Sequence, residues 1–306
     1  METIRVGTRS SALALWQAQR VVALLAPLHA GRRFEIVELS TRGDRNRATP
    51  LHLIGGVGFF VKELELALLE HHLDLAVHSL KDLPSCLPPA LALGAIPARG
   101  DPRDALVSAT GAELMDLPTG ARVGTGSPRR RAQILALRPD LEVVPIRGNV
   151  VTRLKRFADR NYDAVVLAVA GLVRLGRESA ISEVFRPEPM LPAAGQGALA
   201  VEIRAGDERI RSLVTAINHP ATWATVTAER AFMARLGGGC HVPAAAFAQP
   251  WDEQLWLRGL VSSYRGQRTI RGERYGSPEA AEAIGKALAD DLLDQGAEEL
   301  LGGTRG

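Results

Sequence analysis

The sequence predicts an α/β fold of two similar halves, followed by a smaller C-terminal α+β domain. Strands alternate with helices along the first part of the chain, which is typical of a mostly parallel sheet. The strand-ending pattern Val6-Gly-Thr8 returns as Val123-Gly-Thr125, and segments 97–102 and 190–197 are expected to cross between the halves. Two crossings indicate a hinged pair with a cleft, as in periplasmic-binding-protein-like folds.

The first half is predicted from apolar periodicity. Leu13, Trp16, Val21 and Leu28 recur at helical spacing after the first strand, so a helix is expected there. The predicted elements, in order, are a strand at Ile4–Thr8, a helix at 11–29, a strand at 34–39, a polar loop at 40–57, a helix at 59–71 and a strand at 74–78.

The second half repeats this alternation, and the C-terminal part changes it. Pro128 stands where the first turn of a helix accepts proline. Further predicted elements are strands at 141–146 and 163–169 with a helix at 150–160 between them, a helix at 221–235, strands at 255–260 and 269–274, and a helix at 278–295. The predicted domains are residues 1–97 with 198–217, residues 103–191, and residues 220–306.

Composition limits the class of protein. The 306 residues carry a formal net charge of only +3, which gives little support to nucleic-acid binding. The longest apolar run, Ala164–Val173, is too short to cross a bilayer, and the charged N-terminus does not resemble a secretory signal. Two cysteines without an export signal predict a reducing compartment, so we expect a cytoplasmic protein that does not bind membranes.

The segment Arg235–Pro243 contains three consecutive glycines followed by Cys240. Glycines without side chains let a ligand approach the neighbouring sulfur closely, so Cys240 is a candidate attachment point. The alternative is that Cys240 is a small apolar residue in a turn, as many free cysteines are.

Arginines follow several predicted strands. Both Val-Gly-Thr turns lead into a helix, and helix N-termini bind anions through their free N–H groups. Guanidinium groups match carboxylates and phosphates in a bidentate manner, so a polyanionic ligand is expected. For any single arginine, the alternative is a solvated surface charge. The candidate residues at these turns are Arg9, Ser11, Ser127, Arg129, Arg130, Arg147, Arg153 and Arg174.

The pair Lys81-Asp82 follows the strand at 74–78, and the carboxyl ends of strands are where α/β sheets bind ligands. Among arginines, Asp82 is expected to stay ionised, and it could stabilise a cationic intermediate or accept a proton. Lys81 could form a Schiff base, but an adjacent carboxylate disfavours the neutral amine that this requires.

Two other kinds of site have little support. Cys240 and His241 are adjacent potential metal ligands without a second cluster to complete a site, so no metal is predicted. A Cys–His hydrolase could use His78, His219 or His241 as its base, but no sequence spacing supports it.

Several segments together resemble the hydroxymethylbilane synthase family, whose members are also called porphobilinogen deaminases. The matching segments follow the family's order from Thr8 to Pro243. They are the segments starting at Thr8 (TRSSALALWQA), Thr41 (TRGD), Phe60 (FVKELE), Ala76 (AVHSLKDLP), Asp101 (DPRD), Val123 (VGTGS), Arg147 (RGN), Ala168 (AVAGL), Ala194 (AGQGA) and Gly238 (GGCHVP).

The resemblance implies a transferase of tetrapyrrole biosynthesis. Family members condense four porphobilinogen molecules, with loss of ammonia at each step, on a dipyrromethane cofactor linked to a cysteine, and then release linear hydroxymethylbilane by hydrolysis. The resemblance implies that Asp82 is catalytic and that Cys240 anchors the cofactor through a thioether. It assigns cofactor binding to Lys81, Thr125, Ser127, Arg129 and Arg130, and substrate binding to Arg9, Ser11, Phe60, Arg147, Arg153, Arg174 and Gln196.

The family also implies a monomer that passes its product to uroporphyrinogen-III synthase without a stable complex. This chain departs from the family at Leu53 and Val57, where many members have lysine, and at Gly126, where they have serine. Phe60 could pack against a pyrrole ring or serve as a core residue at a helix start.

Two other functional classes are alternatives to the enzyme. A hinged solute-binding module for anions would suit the duplicated halves, but the missing export signal and Cys240 count against it. Nucleic-acid binding would require affinity that falls steeply with salt, and the low aromatic content disfavours single-strand binding.

Overall fold

The computed structural model describes residues 2–39, 61–237 and 242–302, with residues 160, 161 and 302 described by their backbone alone. The predicted loop at 40–57, including Leu53 and Val57, lies outside the described residues, as do Phe60 and Cys240.

Strands and helices alternate through most of the described chain. The strands are β1 (Glu2–Arg9), β2 (Arg32–Leu39), β3 (Leu75–Ser79), β4 (Leu91–Ala95), β5 (Asp104–Ser108), β6 (Arg122–Gly124), β7 (Glu142–Val144), β8 (Ala164–Ala168), β9 (Glu183–Val184), β10 (Leu199–Arg204), β11 (Ala244–Trp251), β12 (Gln254–Ser262) and β13 (Thr269–Gly276). The α-helices are α1 (Ala12–Leu25), α2 (Lys62–Leu69), α3 (Pro128–Leu137), α4 (Val150–Arg156), α5 (Val169–Arg174), α6 (Glu208–Thr215), α7 (Pro220–Arg235), α8 (Ala281–Asp294) and α9 (Ala297–Gly302).

Two five-stranded sheets share one architecture. Their strand orders are β2-β1-β3-β10-β4 and β7-β6-β8-β5-β9. In each sheet the first three strands are parallel, and the fourth is antiparallel to both of its neighbours. Strands β6, β7 and β8 therefore repeat β1, β2 and β3, while β5 takes the place of β10. The predicted α/β class with two similar halves is confirmed.

By contacts within the chain, the structure divides into two compact units. The first is Met1–Gly100 with Gly197–Trp223, and the second is Asp101–Gln196 with Ala224–Gly306. The second unit also contains a three-stranded antiparallel sheet, β11-β12-β13. The predicted smaller C-terminal α+β part is thereby confirmed, whereas the exact domain boundaries stay a prediction.

Helices cover both faces of the first sheet. Val77 and Val201 share a core cluster with Val21 of α1. Ala76 belongs to a different cluster, with Leu64 and Leu68 of α2. Because successive strand residues point to opposite faces, even-numbered residues of β3 lie on the α2 side.

Some predicted boundaries are wrong. The helix predicted at 11–29 ends at Leu25 and continues as a single 3-10 turn at Ala26–Leu28, where Pro27 lacks the N–H that an α-helix would use. The helix predicted at 59–71 is described from Lys62 to Leu69. Among the helices described, none is long and apolar enough to cross a membrane.

Gly285 allows α8 to approach α7 closely. A Cβ at this position would lie 2.8 Å from Ala231 Cβ and 2.9 Å from Phe232 N, and it would clash with Ala228 O. Helix propensity alone favours alanine by about 1 kcal/mol, but overpacking against backbone costs about 1–3 kcal/mol. We therefore expect Gly285→Ala to lower the free energy of unfolding, measured by urea denaturation. Gly31→Ala, where a Cβ meets nothing within 4 Å, is the control; a Gly285→Ala protein more stable than wild type would contradict the packing argument.

Candidate active site

The turn after β3 carries Lys81 and Asp82. Strand β3 ends at Ser79, and a single 3-10 turn spans Leu80–Asp82. The buried Leu80 fixes this turn, because its N–H donates to Ala198 O at 3.0 Å and its carbonyl accepts from Leu83 N at 3.1 Å. Lys81 is half-buried and Asp82 is exposed. The structure thus presents the Asp82 carboxylate to solvent from an anchored backbone.

Arg9 and Ser11 follow the neighbouring strand β1. Arg9 is half-buried at the end of the strand, and the Ser11 Oγ caps α1 by accepting from Ala14 N at 3.3 Å. Strands β1 and β3 are adjacent and parallel, so Arg9 and Asp82 follow the same edge of the sheet. In the same unit, Gln17 of α1 donates from Nε2 to Ser79 Oγ at 2.7 Å.

In the second unit, the repeated Val-Gly-Thr turn leads into α3. Thr125 is buried, and its Oγ1 accepts from Ser127 N at 3.2 Å. The Ser127 Oγ caps α3 by accepting from Arg130 N at 3.4 Å. A Cβ at Gly126 would lie 3.0 Å from Ile146 O, so the family's serine would crowd that carbonyl in this chain. Thr125 and Ser127 therefore lie at a helix N-terminus, where an anion is favoured.

Arg129 and Arg130 are buried around Asp104, which sequence reasoning did not select. Arg129 NH1 donates to Asp104 Oδ2 at 2.7 Å, and Arg130 NH2 donates to Asp104 Oδ1 at 2.6 Å. Burial alone would raise the pKa of Asp104, but the two guanidinium groups outweigh it and hold that pKa well below its usual value. Asp104 ends the matching segment that starts at Asp101, which is the only sequence indication of its importance.

Gln196 belongs to the same buried cluster. Its Nε2 donates to Asp104 Oδ1 at 2.8 Å and to Pro102 O at 2.6 Å. The preceding residue, Gly195, donates its N–H to the Glu229 carboxylate at 2.6 Å, and the other Glu229 oxygen accepts from Ala248 N at 2.9 Å. Glu229 was not predicted; its place within an ordinary helical pattern gave no indication of this role.

Arg147, Arg153 and Arg174 follow strands β7 and β8. Arg153 Nε donates to Gly148 O at 2.8 Å. Burial and the nearby Arg156 lower the pKa of Arg147, and burial lowers the pKa of Arg174 to about 10. Within the described part of the chain, Arg147 NH1 is buried without a hydrogen-bond partner. Such partly desolvated cations are stabilised when a ligand supplies anions.

Family models match most of the chain. A family model described as porphobilinogen deaminase, dipyromethane cofactor binding domain, matches residues 4–212, and the model of the porphobilinogen deaminase C-terminal domain matches residues 223–294. The chain is 49% identical over 302 residues to porphobilinogen deaminase from Roseiflexus sp. (strain RS-1), with 99% of each chain covered.

Among solved structures, a YaeC-family lipoprotein from Enterococcus faecalis is 15% identical with a TM-score of 0.40, over 72% of this chain and 92% of that chain. A periplasmic binding protein from Salmonella typhimurium, described by its high arginine specificity, is 14% identical with a TM-score of 0.41, over 71% and 92%.

The fold and the site define a duplicated α/β protein whose strand ends carry guanidinium groups and capped helix N-termini. The extent of the sequence match then narrows this class to one family. The chain belongs to the porphobilinogen deaminase family. It is a transferase with hydroxymethylbilane synthase activity in tetrapyrrole biosynthesis, and its cofactor is dipyrromethane, so these predictions are confirmed. The roles of individual residues stay predictions.

Proposed function

We propose that Asp82 is the catalytic carboxylate of the porphobilinogen condensation and that Cys240 is the attachment point of the dipyrromethane. The observation that carries the role of Asp82 is its exposed side chain on a backbone turn that is anchored by Leu80 and Leu83. A group that meets many successive substrates has to be accessible, and it also has to stay in place.

Asp82 would act on charge that develops in the substrate. Loss of ammonia from porphobilinogen leaves a delocalised cation, and a fixed carboxylate stabilises such a cation without reorganisation. The same carboxylate can accept the pyrrole proton that is lost after each new bond forms. The half-buried Lys81 beside it would bind an acidic side chain of the ligand.

The arginines would bind the carboxylates that accumulate with each added pyrrole. Arg147 and Arg174 support this role best, because burial already lowers their pKa values and Arg147 has a nitrogen without a hydrogen-bond partner in the described chain. An incoming acetate or propionate would satisfy these groups. We propose Arg9, Ser11, Arg153, Phe60 and Gln196 as further substrate-binding residues.

The turn at Thr125–Ser127 fits a carboxylate-bearing cofactor because it opens a helix and its backbone is held by its own side chains. Dipyrromethane supplies the pyrrole carbon to which the first substrate is joined. Thr125 and Ser127 would hold its acidic side chains at this helix N-terminus. Arg129 and Arg130 would contribute mainly through the cluster with Asp104, since two guanidinium groups around one carboxylate leave a net positive charge beneath α3.

We also propose a cytoplasmic monomer that releases hydroxymethylbilane to uroporphyrinogen-III synthase without a stable complex. Support comes from the paucity of cysteines and from the family to which the chain belongs. Sedimentation of the purified protein alone and with that synthase would test both statements.

Asp82→Asn tests the catalytic assignment. The amide keeps the shape of the side chain but not its charge, so we expect kcat to fall by about a hundredfold or more while porphobilinogen still binds. Ammonia release and tetrapyrrole formation measure the rate, and Asp294→Asn, at an exposed aspartate of α8, is the control. Near-normal turnover in Asp82→Asn would refute the role, and a wild-type protein that binds porphobilinogen without releasing ammonia would favour an anion-binding module.

A further inference from the structure

A buried histidine–glutamate pair joins β10 to β3, the strand that leads into the turn carrying Asp82. His78 of β3 is four residues before Asp82 in the sequence, and His78 Nε2 lies 2.9 Å from Glu202 Oε2 of β10. The side chains are only 3% and 0% exposed. Strand register explains the contact, because Ala200 lies opposite His78 and Ala76 lies opposite Glu202, which places the pair diagonally on one sheet face.

Helix α2 covers this face of the sheet. Ala76, which shares the face with His78, packs in the cluster formed by Leu64 and Leu68 of α2. Glu65 of the same helix is half-buried; burial raises its pKa, the charge of Glu202 raises it further, and His78 lowers it by less. Three ionisable groups from α2, β3 and β10 therefore interact electrostatically.

Burying this pair in the core costs folding free energy. In the described part of the chain, neither His78 Nε2 nor either Glu202 oxygen has a well-aligned hydrogen-bond partner, although the two groups are in close contact. A buried polar group left unsatisfied costs about 1–3 kcal/mol. Apolar residues of similar volume commonly replace a buried ion pair without loss of stability. Fold stability alone therefore does not account for these side chains.

No group of three or more His, Cys, Asp and Glu residues in the described ranges has the arrangement to hold a metal ion. What lies next to the pair is the anchored turn. Ser79 accepts from Gln17 of α1, and Leu80 donates to Ala198 just before β10. The contact of His78 with Glu202 adds a third attachment of this part of the chain, here to β10, which begins directly after Ala198.

We propose that His78 and Glu202, with Glu65 of α2 beside them, are positioning residues that hold the turn carrying Lys81 and Asp82 in its productive conformation. The proposal rests on the proposed catalytic role of Asp82. The pair acts through the backbone, because the close approach of two buried polar groups holds the end of β3 to β10, and moving either strand would leave both groups buried without a partner. Glu65 adds an electrostatic interaction with the pair from α2.

The test uses cofactor-loaded protein and separates positioning from folding. The variants are Glu202→Gln, His78→Gln and the apolar double variant His78→Leu/Glu202→Met. We expect kcat to fall about tenfold or more in each, with KM for porphobilinogen within about threefold of wild type. Hydrogen exchange at the Leu80 amide should become faster, and the double variant should keep its unfolding midpoint.

Asp74→Asn is the matched control, because Asp74 is a buried carboxylate paired with Arg5 just before the other end of β3. It should lower stability but leave kcat and the Leu80 exchange rate unchanged. The proposal is overturned if folded variants of the pair keep kcat within about twofold of wild type, or if Asp74→Asn loses as much kcat as they do. If the single variants do not fold, the double variant decides.

Asp82→Asn, assayed in parallel, distinguishes the two ways of failing. An active Asp82→Asn protein removes the catalytic assignment itself. An inactive Asp82→Asn protein together with fully active pair variants removes only the positioning role.

Discussion

Cys240→Ala is expected to give a folded protein that carries no dipyrromethane and makes no tetrapyrrole. The chain has two cysteines, and only a sulfur nucleophile can form the thioether that retains the cofactor. Folding should survive, because the C-terminal core is built by residues of α7, α8 and the three-stranded sheet, such as Phe232, Leu257 and Leu288. Intact-protein mass and titration of thiols after denaturation measure the outcome.

Cys86 provides the matched control, since it is an exposed free cysteine. Wild-type protein should show the mass of the sequence plus one dipyrromethane and a single titratable thiol. Cys86→Ala should keep both the added mass and the activity, and it should have no titratable thiol. Retention of the added mass in Cys240→Ala would show that the wrong sulfur was chosen.

The repeated halves could be predicted because each strand, turn and helix is indicated by residues that are neighbours in the sequence. Val6-Gly-Thr8 and Val123-Gly-Thr125 were both predicted close to the end of a strand and before a helix. In the structure β1 ends at Arg9 and β6 at Gly124, and a helix follows each. Strand β10 could not be predicted in the same way. It pairs with β3, so that Leu199 lies opposite Ser79, and sequence periodicity carries no information about a partner so distant or about its direction.

In the candidate site, too, features set by neighbouring residues could be predicted from the sequence, and contacts between distant residues could not. Lys81 and Asp82 were located by the rule that ligands bind at the carboxyl ends of strands, which needs only the strand before them. The surroundings of Arg129 and Arg130, which lie in α3, depend on Asp104, which is about 25 residues away in sequence and begins β5. From sequence alone, an arginine near a helix start is expected to be a solvated surface charge, because the buried carboxylate that pairs with it is distant in the chain. The sequence therefore indicated these arginines but not their buried environment.

Asp104→Asn should strongly destabilise the folded protein. Asp104, Arg129 and Arg130 are all buried, and the amide would leave two guanidinium groups without their counter-charge. Removing one partner of a buried ion pair costs about 3–5 kcal/mol. Urea denaturation should therefore show a loss of this size. Asp101→Asn is the control, because Asp101 pairs with the more exposed Arg103 and such surface pairs contribute about 1 kcal/mol or less.

The same cluster predicts how stability depends on pH. The pKa of Asp104 is lower in the folded protein than in the unfolded chain, because Arg129 and Arg130 outweigh the effect of burial. Below the ordinary aspartate pKa of about 3.9, the unfolded chain therefore binds a proton that the folded protein does not, and stability falls as the pH falls. At neutral pH the full contribution is present.

Asp104→Asn removes this titration, so its stability should vary less than that of wild type as the pH falls below about 4. The difference in unfolding free energy between the two proteins should shrink with acidification, while the difference between wild type and Gly285→Ala should stay constant. If the difference in unfolding free energy between wild type and Asp104→Asn did not change with pH, the Asp104 carboxylate would not be the counter-charge of the two arginines. Arg129→Met in the Asp104→Asn background should recover part of the lost stability, because it leaves one buried cation instead of two.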